Sequence, residues 1–520
     1  MTVGASLARK RGQPPTTFPT AARAGSTGPR VAVIGSGFAG LAAATVLADA
    51  GSRVVVLEKN ATIGGRARSF SAEGLTFDMG PSWYWMPEIF EEYFNRFGQS
   101  ASDFYDLVRL DPSFSICFGD GELMDVPAST EELVALFESL EPGSGPRLRA
   151  FLDEAAFKYQ VGMREMAHMP GRSLLEFARW RVLGALFRMN LFKSFHAYVR
   201  GYFRHPKLIR LLEFPILFLG GTPATTPALY SLMNHAELRL GTWYPMGGMH
   251  RIIDGMREVA EAAGVEIITG APVSRIAVDG GLARGLELDG ASVPAEAVVA
   301  AADYHHVEQQ LLEPDYRRYD ESYWSSRVLA PSALIYYLGV RGRVDGLRHH
   351  TLFFDEDLDG HARDLYDDQR WPERPLFYVC APSRTDPSVA PPDCENLFVL
   401  VPVAPGLHEE NETADRYYDL VMERIERQVD QPLRSRVFYR RSYGVRDFQT
   451  DYNALRGNAY GLANTLRQTA LLKPSMNSPK VANLFFAGQL TVPGPGVPPT
   501  LISGQIAAKQ AARYLGVKRA

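Results

Sequence analysis

The chain has 520 residues, 46% of them hydrophobic and 22% charged, with 55 Lys and Arg against 59 Asp and Glu for a formal net charge of -4. That composition excludes collagen, coiled-coil and mucin-like arrays, and the near balance of charge excludes the global basic field that gathers nucleic acid. Its three cysteines, Cys117, Cys380 and Cys394, include no C-x-x-C pair, so neither a disulfide framework nor a cysteine-built metal site is expected.

Residues 1–29, rich in Pro, Thr, Ala and Gly, read as a disordered leader without the apolar core of a signal peptide. No apolar run reaches the roughly 18 residues that a spanning helix needs. The first ordered pattern is Arg30–Ile34, then Gly35-Ser-Gly37-Phe38-Ala39-Gly40, then the alanine-rich stretch from Leu41 to Ala50. It predicts strand, glycine turn and helix. Gly35 permits the turn, Gly37 lets backbone approach a pyrophosphate, and Gly40 lets the helix pack on the strand, while the helix start at Phe38 and Ala39 faces the phosphates. Ser52–Leu57 reads as the second parallel strand, and Glu58 ends it where a carboxylate receives ribose hydroxyls. The next residues, Lys59 and then Gly64-Gly65-Arg66, add backbone amides and cationic groups for phosphate or ring oxygens. Gly80, Pro81, Ser82 and Trp83 follow.

Between Phe177 and Leu212 the chain carries eight basic residues and no acidic one, interleaved with aromatic and aliphatic side chains. A basic, aromatic-rich amphipathic stretch is expected to lie on an anionic membrane surface. Phe214–Leu219 is too short to span and is read as the mouth of an apolar tunnel, with Phe218 a substrate candidate. Trp243–Met249, containing Tyr244, leads into a predicted helix at 250–263 and strands at Val265–Ile268 and Ala271–Ile276. Alternating runs such as Ala333–Leu338 and Leu397–Pro402 predict a mixed sheet over 303–480. His305-His306 and His349-His350 read as surface loop residues rather than metal ligands, and no metal site or catalytic acid or base is assigned. Near the end, Ala482–Gly488 predicts a buried strand, followed by Gln489, the Gly/Pro-rich run through Gly496, Val497 and Pro498, and an apolar helix at about 501–514.

Taken in order, Val33–Leu41, Tyr244–Gly248 and Phe486–Pro499 resemble bacterial-type phytoene desaturases, in the carotenoid desaturase/isomerase family of FAD-dependent oxidoreductases. The resemblance implies an α/β fold in which a Rossmann-like FAD-binding domain of the glutathione-reductase type is interleaved with a mixed-sheet substrate domain and a helical membrane-facing segment. The FAD-binding pieces are expected at 30–100, 241–302 and 481–520, with the helical part at 101–240 and the mixed sheet at 303–480. It further implies that Gly80, Pro81 and Ser82 run past the isoalloxazine ring, that the backbone of Val273 contacts the adenine region, and that Gly488, Gly496, Val497 and Pro498 meet the ring end. Many members of the wider superfamily carry an acid where this chain has Gln489, a departure that favours desaturases over amine oxidases. Tyr244, Trp83 and Phe218 are expected beside the substrate. The expected activity is successive dehydrogenation of phytoene toward lycopene, with a lipophilic carotenoid as substrate, quinone or oxygen as electron acceptor, no nucleic acid, and a peripheral position on the cytoplasmic side of the membrane through 177–212. Alternatives on the same scaffold are a later carotenoid desaturase of the hydroxyneurosporene type, a ketolase or an isomerase. A non-enzymatic isoprenoid-binding escort protein is the alternative from another class.

Overall fold

Two sheets of opposite character organise the chain in the computed structural model, which describes residues 27–517 apart from 120, 172–188, 191–192, 219, 409–410, 466 and 470–471. In the first sheet, Glu266–Ile268, Arg53–Leu57, Arg30–Ile34, Ala297–Ala300 and Leu484–Phe486 lie side by side, all parallel. Its strands come from three separated stretches of sequence. Because they are β-branched and apolar on both faces, they need cover on both sides. Helices Phe38–Asp49 and Val497–Leu515 pack against each other, and their alanines Ala39, Ala42, Ala43, Ala507, Ala508 and Ala511 are all buried. A Cβ built on Gly504 would lie 2.2 Å from the Ala39 carbonyl oxygen, so these helices meet backbone to backbone. The last helix begins at Val497 rather than near Leu501. Pro498 and Pro499 fit its first turn, where a missing N–H costs no helical hydrogen bond.

The second sheet is mixed and runs Val437–Tyr443, Ser332–Arg341, Cys394–Val403, Phe377–Cys380, His350–Phe353, Phe114–Cys117, Leu123–Val126. Ser332 lies opposite Val403 and Arg341 opposite Cys394, so the two long strands pair over their whole length. Its last two strands belong to the stretch read from sequence as helical, 101–240. Four-residue runs such as Phe114–Cys117 are too short to show a period, and only the partner strand reveals them.

The described half of 177–212 divides by residue type. Phe195, Tyr198, Phe203, Leu208 and Leu212 are buried within short helices and their connection. Arg200 pairs at 2.5 Å with the buried carboxylate of Glu213, and Arg210 donates to the Phe354 carbonyl. The aromatic groups pack into the protein's own core, while Lys193, Arg200 and Arg204 are exposed. Arg179, Arg181 and Arg188 lie outside the described residues. No helix among the described residues is long and apolar enough to cross a membrane.

Candidate active site

A cavity of about 590 Å³ opens at the carboxyl ends of the parallel strands, lined there by Ile34, Leu57, Ala301 and Gly488, and it reaches the second sheet at Ala333 and Leu400. This is where open parallel sheets bind ligands.

The strand-end of the cavity is built mostly from backbone. Gly37 and Gly65 face each other: a Cβ on Gly65, whose φ is +56°, would come within 3.3 Å of the Gly37 Cα. Any larger side chain would fill the cleft between the two glycine turns, at the N-terminus of helix Phe38–Asp49. Gly40 does not line the cavity. A Cβ there would stand 1.9 Å from the Gly35 carbonyl oxygen, so this glycine serves helix packing alone. The Glu58 carboxylate is buried and fixed by four hydrogen bonds, from Ser36 N (3.0 Å) and Oγ (2.7 Å) and from Asn60 N (2.9 Å) and Nδ2 (3.0 Å). Lys59 lines the same wall and donates to the Thr450 carbonyl and to Asn453 Oδ1.

Arg66 occupies the middle. Its guanidinium lies 5.0 Å from the Tyr452 ring centroid and donates to the Asn458 carbonyl at 3.3 Å, while its Nε, among the described residues, is buried without a partner. With its amide oxygen turned inward, Gln489 accepts from Arg66 Nη2 at 3.0 Å, which gives this residue a positioning role. Asp303, just beyond strand Ala297–Ala300, also lines the cavity. Burial raises its pKa, opposed by the backbone N–H of His306 and by the Arg66 guanidinium. Burial pushes the neighbouring His306 down to about 4, leaving a neutral imidazole.

Beyond Gly80, Pro81 and Ser82 the wall turns apolar, with Trp83, Trp85, Met86, Met163, Tyr230 and Met233 on it. Trp83 stacks on His350 with ring centroids 4.0 Å apart. The histidine pair is therefore not a surface feature. Both rings are buried on the second sheet, with Nδ1 of His349 bonded to Thr385 Oγ1 and that of His350 to Tyr378 Oη. Their donor atoms and the Cys380 sulfur lie within 4.8 Å of one another. Burial pushes His349 down to about 3 and the Cys380 thiol up to about 12, so the trio forms an uncharged polar layer behind Trp83.

Tyr244 departs from its expected place. It is buried in strand Trp243–Pro245, away from the cavity lining, with its ring 4.6 Å from His349 and its hydroxyl 3.4 Å from Asp386 Oδ2. Pairing of that strand with Leu107–Arg109 fixes its register, and the buried phenol finds a carboxylate. The backbone of Phe218 lies in the short helix Pro215–Phe218, and its side chain is outside the described residues. Val273, Gly488, Gln489, Gly496, Val497 and Pro498 line the cavity alongside Gly35, Gly37, Phe38, Ala39, Gly64 and Gly65. Sequence reasoning missed Ser36, Asn60, Asp303, Tyr452, Met163, Tyr230 and Met233. Asp303 carried one usable signal, its position directly after a strand of the parallel sheet.

A glycine cradle that any side chain would fill, a strand-end carboxylate and a buried guanidinium with an unmet N–H fit a dinucleotide that carries a ring system. They define a flavin-dependent oxidoreductase. The family of flavin containing amine oxidoreductases matches residues 38–512. A carotenoid 3,4-desaturase of Haloarcula japonica is 43% identical over 486 residues, covering 93% of this chain and 98% of that one. A zeta-carotene-forming phytoene desaturase of Myxococcus xanthus is 34% identical over 504 residues, covering 94% of each. The chain belongs to the flavin containing amine oxidoreductases and, within them, to the carotenoid desaturases. Its cofactor is FAD, and it is an oxidoreductase acting on CH–CH bonds. The fold matches a solved oxidoreductase from Methanosarcina mazei with a TM-score of 0.63 at 17% identity, covering 92% of this chain and 99% of that one. A putrescine oxidase triple mutant matches with a TM-score of 0.60 at 15% identity, covering 94% and 99%.

Proposed function

We propose that this protein is a later-step carotenoid desaturase, introducing a C3–C4 double bond into an acyclic carotenoid whose polyene is already extended. The observation that carries the reading is the apolar end of the cavity, continuous with the nucleotide end and walled by Trp83, Trp85, Met86, Met163, Tyr230 and Met233. Such a wall suits a hydrocarbon chain and excludes water from the reacting carbons. Bound FAD supplies a two-electron oxidant. Gly35, Gly37, Glu58, Gly64, Gly65 and Arg66 hold the cofactor, and Ser82 and Trp83 mark the passage from cofactor to substrate. The choice of a later carotenoid over phytoene follows the 43% identity to a carotenoid 3,4-desaturase, against 34% to the phytoene desaturase. The phytoene-to-lycopene expectation gives way on that ground.

The nucleotide half is read as the glutathione-reductase type of dinucleotide fold, supported by a parallel sheet drawn from three separated stretches. The substrate's solubility supports a peripheral position on the cytoplasmic side of the membrane, with quinone or oxygen as electron acceptor. The described part of 177–212 turns its aromatics inward, so membrane contact through this segment rests on the sequence of 177–188.

The test is expression in non-carotenogenic bacterial cells engineered to accumulate either phytoene or an acyclic carotenoid with an extended central polyene and saturated C3–C4 bonds at its ends. Loss of two hydrogens from the second pigment, with phytoene unchanged, is the expected result. Conversion of phytoene to lycopene would overturn the later-step reading.

A further inference from the structure

Two polar side chains lie against the same residue of the glycine-proline loop at 493–496. Lys473 is 4% exposed and Asn464 2%. Among the described residues, neither the Lys473 Nζ nor the Asn464 Oδ1 has a hydrogen-bond partner. A Cβ built on Gly494 would lie 3.3 Å from Lys473 Cε and 3.5 Å from both Lys473 Nζ and Asn464 Oδ1. Amine and carbonyl thus lie against one face of Gly494, with Lys473 standing behind that glycine rather than on the cavity lining. Asn464 and Gly494 line the cavity, as do Pro493, Pro495 and Gly496 on the same loop.

Neither group helps the fold as it stands, because a buried amine and a buried carbonyl without partners both oppose folding. Burial pushes the Lys473 pKa down to about 7. Groups kept at such a cost are expected to meet a ligand. A donor beside an acceptor is the complement of an edge that presents an acceptor beside a donor. The pyrimidine of the isoalloxazine has such an edge, carbonyl, N–H and carbonyl in succession. The apolar hydrocarbon expected at the other end of the cavity offers neither.

We propose that Lys473 and Asn464 recognise the imide edge of the flavin, the lysine donating to a ring carbonyl and the asparagine oxygen accepting from the ring N–H. The lysine then also favours negative charge on the ring, in concert with the N-terminus of helix Val497–Leu515, which starts three residues after Gly494. These are recognition residues, and the sequence motifs of the nucleotide end do not include them.

Lys473→Met keeps most of the length of the side chain and removes a buried, unpartnered amine, so it is expected to fold. The FAD-loaded wild type and the variant are compared by sulfite titration of the flavin absorbance band and by reduction potential against a reference dye. Sulfite adds more readily the better the pyrimidine carries negative charge. The expected result is at least a tenfold rise in the sulfite dissociation constant and a shift of the potential to more negative values. Wild-type sulfite affinity and potential in Lys473→Met would overturn the role of the lysine. A measurement on the wild-type holoprotein stands independent of any variant. With isotope-labelled FAD, the ring imide proton is expected to be protected from solvent exchange and shifted downfield in the magnetic resonance spectrum, and exchange at the rate of free FAD would overturn the role of Asn464.

Discussion

The two ends of the cavity are made of different material. At the strand-end the ligand surface is backbone: Gly37 against Gly65, with Glu58 held in place by Ser36 and Asn60. At the other end it is side chains from Met86, Met163, Tyr230 and Met233, which come from separate elements and share only their apolar character. A backbone surface tolerates few residue types at each position, because a Cβ would occupy ligand space. An apolar wall accepts many residues of about the right size. The first kind of site leaves a motif in the sequence and the second does not.

The sharpest way to break this contrast is to put a side chain into the cradle. Gly37→Val would fill the cleft toward Gly65, and FAD binding should weaken by about 100-fold, or ~2.8 kcal/mol, with circular dichroism unchanged. The flavin absorbance of the purified protein checks it. Retention of flavin in Gly37→Val would mean that the cofactor does not pass between the two turns. The converse change is Met233→Asp, which sets an uncompensated carboxylate in the apolar wall. Flavin content should stay at the wild-type level while carotenoid turnover drops by about tenfold or more. Equal loss of flavin and turnover in both variants would erase the division between the ends.

Glu58 stands where backbone and side-chain recognition meet, and its removal should have an intermediate effect. Glu58→Ala leaves the donors of Ser36 and Asn60 unpaired in a buried setting, a cost of ~1–3 kcal/mol in stability. Chemical denaturation of the apoprotein measures that part, and FAD titration measures any further loss of affinity. Glu58→Gln, which keeps one acceptor oxygen, should recover part of the stability.

How much could be read in advance follows the same division. The strand, turn and helix from Arg30 to Asp49, the strand-end Glu58 and the long strands Ser332–Arg341 and Cys394–Val403 stand close to where periodicity and glycine spacing place them. Tyr244 was misplaced because the motif around it specifies a strand and a turn but not the face toward which the ring points. That choice is made by pairing with Leu107–Arg109, more than 130 residues earlier. His349 and His350 read as surface residues because two adjacent histidines give no apolar pattern. Trp83, Tyr378 and Thr385, all distant in sequence, make that location dry. Lys473 and Asn464 gave no signal at all, since an isolated lysine and asparagine in a loop are ordinarily solvated.

The mildest test concerns how the second sheet and its cover respond to acid. His349 and His361 belong to the second sheet and its cover, and burial pushes them down to about 3 and about 4. His361 is locked as one tautomer, with Nδ1 accepting from Leu376 N at 3.0 Å and Nε2–H donating to the Pro402 carbonyl at 3.1 Å. In the unfolded chain these imidazoles take up a proton below about pH 6.5, whereas in the folded chain they stay neutral. The unfolded state therefore binds more protons over that range, and stability must fall as the pH drops from about 6.5 toward 4, with no contribution from these groups above about 7. Each such histidine steepens the fall by at most ~1.4 kcal/mol per pH unit. His361→Gln, which keeps a neutral polar group at the site, should flatten the decline in melting temperature between pH 6.5 and 4.5 while leaving the value at pH 8 within a few degrees. An unchanged slope in that variant would remove His361 as a source of the acid sensitivity and place it at the carboxylates, at His349 and His350 of the second sheet, or at His306 in the nucleotide half.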